Sequence, residues 1–128
     1  MSTIDVRRVL VTGSRTWVAQ QVVSDALLGM WHDAVQDGAQ GIVVVHGACP
    51  RGADKIAADW CAETGLDQEP HPADWNTKGK RAGFIRNTHM VNLGASICLA
   101  FIKDGSRGAS HTAQLSEEAG IPTRRYTA

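Results

Sequence analysis

Residues 42–54 read Ile42-Val43-Val44-Val45-His46-Gly47-Ala48-Cys49-Pro50-Arg51-Gly52-Ala53-Asp54, and KIAADW follows. The four β-branched apolar residues at the start suit a strand buried on both faces. That strand cannot continue through the bend bounded by Gly47 and Gly52, where Pro50 removes an amide donor. Beyond the bend, Ile56, Ala57, Trp60 and Cys61 recur at three- and four-residue steps. They therefore share one face of a helix, which Gly65 can end. Strand, glycine-rich bend and helix in this order are the building unit of a parallel sheet.

The same unit recurs on both sides of this stretch. Val9-Leu10-Val11 runs into Thr12-Gly13-Ser14-Arg15, and Val18, Val22, Val23, Ala26, Leu27, Met30, Ala34 and Val35 mark a long amphipathic helix. Ile97 to Ile102, ICLAFI, runs into Asp104-Gly105-Ser106-Arg107-Gly108-Ala109-Ser110-His111-Thr112. A helix from Ala109 to Ala119 follows and stops at Gly120 and Pro122. Leu66 to Pro70 is a weaker, polar strand, Gly83 to Leu93 with Gly94 behind it is a helix, and Thr123 to Tyr126 closes the chain. The expected fold is one α/β, Rossmann-like, three-layer domain over residues 1–128. Its five-stranded sheet is expected to be mostly parallel, with helices on both faces. His71 to Ala82, HPADWNTKGKRA, lacks periodicity and reads as a long connection, either a solvated basic loop or a binding loop.

Composition narrows the function classes. Thirteen Lys and Arg balance thirteen Asp and Glu in a chain of 128 residues, so wholesale duplex nucleic-acid binding, which favours a basic domain, is not expected. Zero net charge removes the self-repulsion that opposes association, which permits a homo-oligomer such as a dimer. Cys49, Cys61 and Cys98 are an odd count without a CxxC pair, suiting reduced thiols and a cytoplasmic setting. The opening MSTIDVRRVLVTG has no secretory-leader pattern, and no apolar run approaches the roughly 18–20 residues of a membrane span. His46 and Cys49 have HxxC spacing but no second ligand pair, so no metal is expected.

In an open parallel sheet, ligands bind beyond the carboxyl ends of the strands, where all three bends are expected to lie. In the first, Gly13 permits close approach, Ser14 offers a hydroxyl and Arg15 a planar fork for phosphate. In the second, Gly47, Ala48 and Gly52 supply backbone amides in front of a helix dipole. Asp54 there is either a residue of the first helical turn or an acceptor for a ribose or base. The third repeats the design with Gly105, Arg107, Gly108 and Ser110, and His111 is a candidate ligand contact or proton donor. Arg86, with Asn87 beside it and four residues before the apolar Met90, is placed to reach inward. Each has an ordinary alternative: a glycine after a strand also makes a tight turn, and a helical arginine also serves at the surface. Cys49 reads as a small buried thiol.

Taken together, RVLVTGSRTW, VVVHGACPRGADKIAADW, GFIRNTHMV and GSRGASHTAQLSEEAGIP resemble the SLOG superfamily, in particular its YspA/YpsA-related branch, over nearly the whole chain. The resemblance implies a Rossmann-like fold whose strand-end loops take nucleotides or ADP-ribose-like molecules, with no further cofactor required. Relatives of the cytokinin-activating LOG type are phosphoribohydrolases carrying PGGxGTxxE, whose Glu supports N-glycosidic cleavage with help from a helical Arg. Arg86 resembles that Arg. Thr112 falls at the Glu position, so the LOG-type carboxylate is missing, and a hydroxyl cannot replace it in general base work.

The leading expectation is therefore binding or sensing of a nucleotide-derived small molecule, with Arg15 and Arg86 neutralising phosphates. One alternative is a LOG-type hydrolase in which Asp54 or Asp104 serves as a displaced carboxylate. Another is single-stranded nucleic-acid binding, as in DprA-like relatives, through Lys78, Lys80, Arg81 and Trp75, although Trp75 is expected to pack in the core.

Overall fold

Strand β1 (Val6–Gly13) lies at the middle of a five-stranded sheet in the computed structural model, which describes residues 5–128. Residues 1–4, where the leader reading and the expected domain begin, lie outside the described residues. Alternation along β1 sends Val9 and Val11 into one apolar cluster and Leu10 into another, so both faces of the strand are covered. β2 (Gly41–His46) and β4 (Ile97–Ile102) flank it, with β3 (Asp67–Pro70) and β5 (Thr123–Thr127) at the edges. The order is β3-β2-β1-β4-β5 and all four pairings are parallel, so the sheet is wholly rather than mostly parallel.

Helices α1 (Gln20–Gln36) and α2 (Ala53–Thr64) cover one face, where Val23, Leu27, Ala57 and Trp60 meet Val9, Val44, Leu99 and Phe101. Each Val, Leu or Phe so buried contributes ~1.5–3 kcal/mol. On the other face, α4 (Ala82–Leu93) packs Met90 and Val91 against Leu10, Val45 and Cys98. α5 (Arg107–Glu118) lays Ala109 and Ala113 on Ala100 and Ile102. This is the expected three-layer α/β architecture.

Two local expectations are corrected. Val18 precedes α1 and is 75% exposed, while Val22 and Val35 are also exposed. The buried stripe runs through Val23, Leu27 and Ala34, and a residue one step from it is turned about 100° away. Within His71 to Ala82, Trp75–Lys78 forms a one-turn helix, α3, and Gly79–Arg81 a 3-10 turn leading into α4. Asp74 starts α3 by accepting the Thr77 amide at 3.2 Å.

The chain builds outward from β1 through β2 to β3, then returns to place β4 on the opposite side of β1. That reversal leaves a crevice at the carboxyl ends of β1 and β4. Among the described residues no helix is long and apolar enough to cross a membrane.

Candidate functional site

A cavity of about 450 Å³ occupies that crevice, within the usual size of small-molecule sites. Its walls come from the ends of β1 and β2, the starts of α2 and α5, and the α3–α4 segment. Of the residues singled out in the sequence, Gly13, Ser14, Arg15, Gly47, Asp54, Arg86, Asn87 and Gly108 line it.

The first bend is pinned to β4. The Ser14 amide donates to the Phe101 carbonyl at 2.9 Å, and Ser14 Oγ accepts the Lys103 amide at 2.8 Å. The hydroxyl expected to face a ligand is thus committed to joining two strand ends. The second bend rests directly on the first: Gly52 has φ +79°, and a Cβ there would stand 2.2 Å from the Ser14 carbonyl oxygen. Only glycine meets both demands.

The expectation of free amides in the second bend is corrected for Gly47 and Ala48. Asp54 Oδ2 accepts the amides of Gly47 at 3.1 Å and Cys49 at 3.4 Å, while His46 Nδ1 accepts that of Ala48 at 3.0 Å. His46 Nε2 pairs with Gln68 Oε1 at 2.7 Å, so the ring donates with Nε2 and accepts with Nδ1. A carboxylate in the first turn of α2 suits the positive end of the helix, and folding it back closes the bend from within. Burial pushes the Asp54 carboxyl above its ordinary range, offset in part by His46, then by the Cys49 thiol and amide and the Arg86 guanidinium.

Open donors are found instead at the third bend. Ser106, the N-cap of α5, makes no side-chain cap, and the amides of Arg107, Gly108 and Ala109 have no protein acceptor among the described residues. Ser106, Gly108 and Ala109 line the cavity.

Arg86 reaches inward from α4 and is held rigidly. Its Nε donates to Asn87 Oδ1 at 2.8 Å, and its Nη1 donates to the carbonyls of Gly47 and, at 3.3 Å, His71. Any side chain at position 47 would collide with it, since a Cβ there would lie 2.6 Å from Nη1. Nη2 has no hydrogen-bond partner among the described residues. Arg15, Arg51 and Lys80 join Arg86 on the cavity wall, and none of these three forms an ion pair or side-chain hydrogen bond among the described residues. The Arg15 guanidinium lies over Trp75, 5.8 Å from the ring centroid.

The remaining sequence candidates stand elsewhere. Ala48, held at φ +58°, and Gly52 form the back of the second bend, and Gly105 and exposed Arg107 lie outside the cavity. Ser110 is half-buried on α5, and His111 packs edge-on against Phe84 at 4.9 Å. Asp104 is exposed, its amide on the Ala128 carbonyl at 3.2 Å. Thr112 is fully buried with its hydroxyl on the Gly108 carbonyl at 3.1 Å.

Trp75, expected in the core, is half-exposed on the cavity wall. Cys49 is half-buried there rather than buried; burial, reinforced by Asp54, pushes its thiol up and disfavours a thiolate nucleophile. Sequence reasoning missed Arg51 and Phe84 as wall residues and placed Lys80 in a basic loop apart from the crevice. Lys80 was visible only as part of a basic loop, and the Asp74 cap was the signal that this loop folds.

An all-parallel α/β sheet whose strand-end bends frame a cationic crevice defines a Rossmann-like fold with a candidate site at its carboxyl edge. A family model described as the YspA, cpYpsA-related SLOG family matches residues 7–77, from β1 through most of α3. The Gene 61 protein of Mycobacterium phage D29 is 44% identical over 125 residues, covering 94% of this chain and 96% of that protein. The chain belongs to the YspA, cpYpsA-related SLOG family. No solved structure gives a significant match. The family match ends before Arg86 and the third bend, whereas the phage relative spans almost the whole chain.

Proposed function

We propose that the crevice binds a nucleotide or a nucleotide-derived ligand of the ADP-ribose kind, in a binding or sensing role. The observation that carries this reading is the convergence of Arg15, Arg51, Lys80 and Arg86 on one cavity, none of them in an ion pair with a carboxylate among the described residues. Like charges so gathered repel one another, and a phosphate-bearing guest relieves the repulsion. The open amides of α5 add donors at the positive end of a helix. Arg15 is free to swing onto a phosphate, whereas Arg86 offers a fixed Nη2. No cofactor is needed for this role.

Isothermal titration with AMP, ADP-ribose and cyclic ADP-ribose variants tests the reading. Saturable binding is expected, weakened about tenfold or more by Arg15→Ala, as for loss of a charge-assisted contact. Absence of heat across a broad nucleotide panel would remove the proposal.

A second reading, N-glycosidic nucleotide hydrolysis, draws support from Asp54, a buried carboxyl that lines the cavity and feels the Arg86 charge. Asp104 stands outside the cavity, so Asp54 is the carboxylate in question. Chromatography of nucleoside monophosphates after incubation should then show free base and ribose phosphate, with turnover lost in Asp54→Asn. No released base at high protein concentration eliminates this chemistry.

A further inference from the structure

We infer that Trp75 carries the ligand's base, so that the crevice selects nucleotides over sugar phosphates; this rests on the nucleotide reading of the same site. Trp17 and Trp60 are 3% and 8% exposed and Trp31 packs against Trp60, as tryptophans in a core do. Trp75 is 49% exposed although it lines a cavity. An indole left half in water forgoes much of its burial free energy, and a flat ring laid on it recovers that.

Its position favours such a partner. Trp75 begins α3, which is anchored by the Asp74 cap, and its six-membered edge sits above α4 at Gly83. A Cβ on Gly83 would stand 3.3 Å from Trp75 Cη2 and 3.9 Å from Arg86 Nη2, so the indole edge and the free arginine nitrogen flank one small gap. The Arg15 guanidinium covers the indole at 5.8 Å from its centroid, near the outer limit of a cation–π contact. This loose planar cover can be exchanged for a purine, with Arg15 moving to the phosphate. Phe84 adds a second half-exposed ring to the same wall. The cavity wall therefore presents charge and π surface side by side, which fits a molecule carrying both an anionic group and an aromatic ring. A sugar phosphate has no π face to offer.

The test uses the full chain and compares AMP and ADP-ribose with ribose 5-phosphate, by calorimetry and by tryptophan fluorescence. The tighter of the two nucleotides is expected to bind about tenfold or more better than ribose 5-phosphate, the scale of one base–aromatic stack. Trp75→Ala should remove that advantage, bringing the ratio of nucleotide to ribose 5-phosphate affinity close to one, and Trp75→Phe should restore most of it. Nucleotide should quench the wild-type emission, and the quenching should be absent in Trp75→Phe. Nucleotides that bind wild type and Trp75→Ala equally well overturn this inference while leaving the nucleotide reading intact. Wild type that binds none of the three compounds overturns both. Affinity found only for single-stranded oligonucleotides, rising with length and falling steeply with salt, also overturns both and assigns Trp75 to strand binding.

Discussion

Asp54 accepts the Gly47 amide at 3.1 Å, so the carboxylate that opens α2 also closes the bend leading into it. The same oxygen takes the Cys49 amide, and the Arg86 guanidinium binds the Gly47 carbonyl. The two peptide groups on either side of the Gly47 Cα are thus held at once, one through its N–H and the other through its carbonyl.

Replacing Asp54 by Ala strands two donors, at about 1–3 kcal/mol for each buried group left unpaired. Asp54→Asn keeps an acceptor of the same shape and should lose clearly less. Urea denaturation at unchanged m value measures both. Equal losses would mean that the negative charge, rather than the acceptor, holds the bend.

Arg8 grips Glu69 through two hydrogen bonds of 2.8 Å, and His71 adds a third contact at 2.7 Å. These bonds lower the Glu69 carboxyl from the usual 4.5 to about 2. Because the folded value lies below the unfolded one, the stabilisation is present above pH 4.5 and is lost as pH falls toward 2. Glu69→Gln should therefore reduce stability at neutral pH and flatten its decline across that acid window, as read from melting temperature against pH. An unchanged acid slope would contradict the assignment.

Gly52 and Gly65 form a matched pair for the contact between the first two bends. Both have positive φ, +79° and +75°, but a Cβ at Gly65 meets nothing within 4 Å, whereas one at Gly52 meets Ser14 and Arg15 backbone. Gly65→Ala should cost about 1 kcal/mol, the ordinary left-handed penalty. Gly52→Ala should cost substantially more and weaken nucleotide binding with it. Similar losses at both positions would argue that the bends are not packed as described.

Arg15 and Arg86 should separate binding from folding. Arg15 is exposed, lies over Trp75 and makes no ion pair or side-chain hydrogen bond among the described residues, so Arg15→Ala should change stability by within about 0.5 kcal/mol while reducing ligand affinity. Arg86→Ala removes donors from the Gly47 and His71 carbonyls and Asn87, and should lose about 1–3 kcal/mol as well as affinity. Arg86→Lys should restore little, because an ammonium lacks the planar fork that spans these partners. Parallel denaturation and calorimetry distinguish the two positions.

The alternation of strand, bend and helix is legible in residue order alone, because buried strands need runs such as Ile42 to Val45 and an amphipathic helix needs spacing such as that of Val23 and Leu27. Residue order also placed Gly13, Arg15, Gly47, Asp54, Arg86 and Gly108 at strand ends or on an inward-facing helix. The short α3 escaped because a single turn has no periodicity, and with it went the placement of Trp75 and Lys80. Only the tertiary structure decided which donors stay open. The Gly47, Ala48 and Cys49 amides of the second bend go to Asp54 and His46, and the Ser14 hydroxyl donates to the Lys103 carbonyl and accepts its amide, eighty-nine residues away. Hydrogen bonds saturate: each donor has one proton to give, and which acceptor receives it depends on distances that residue order along the chain does not encode locally.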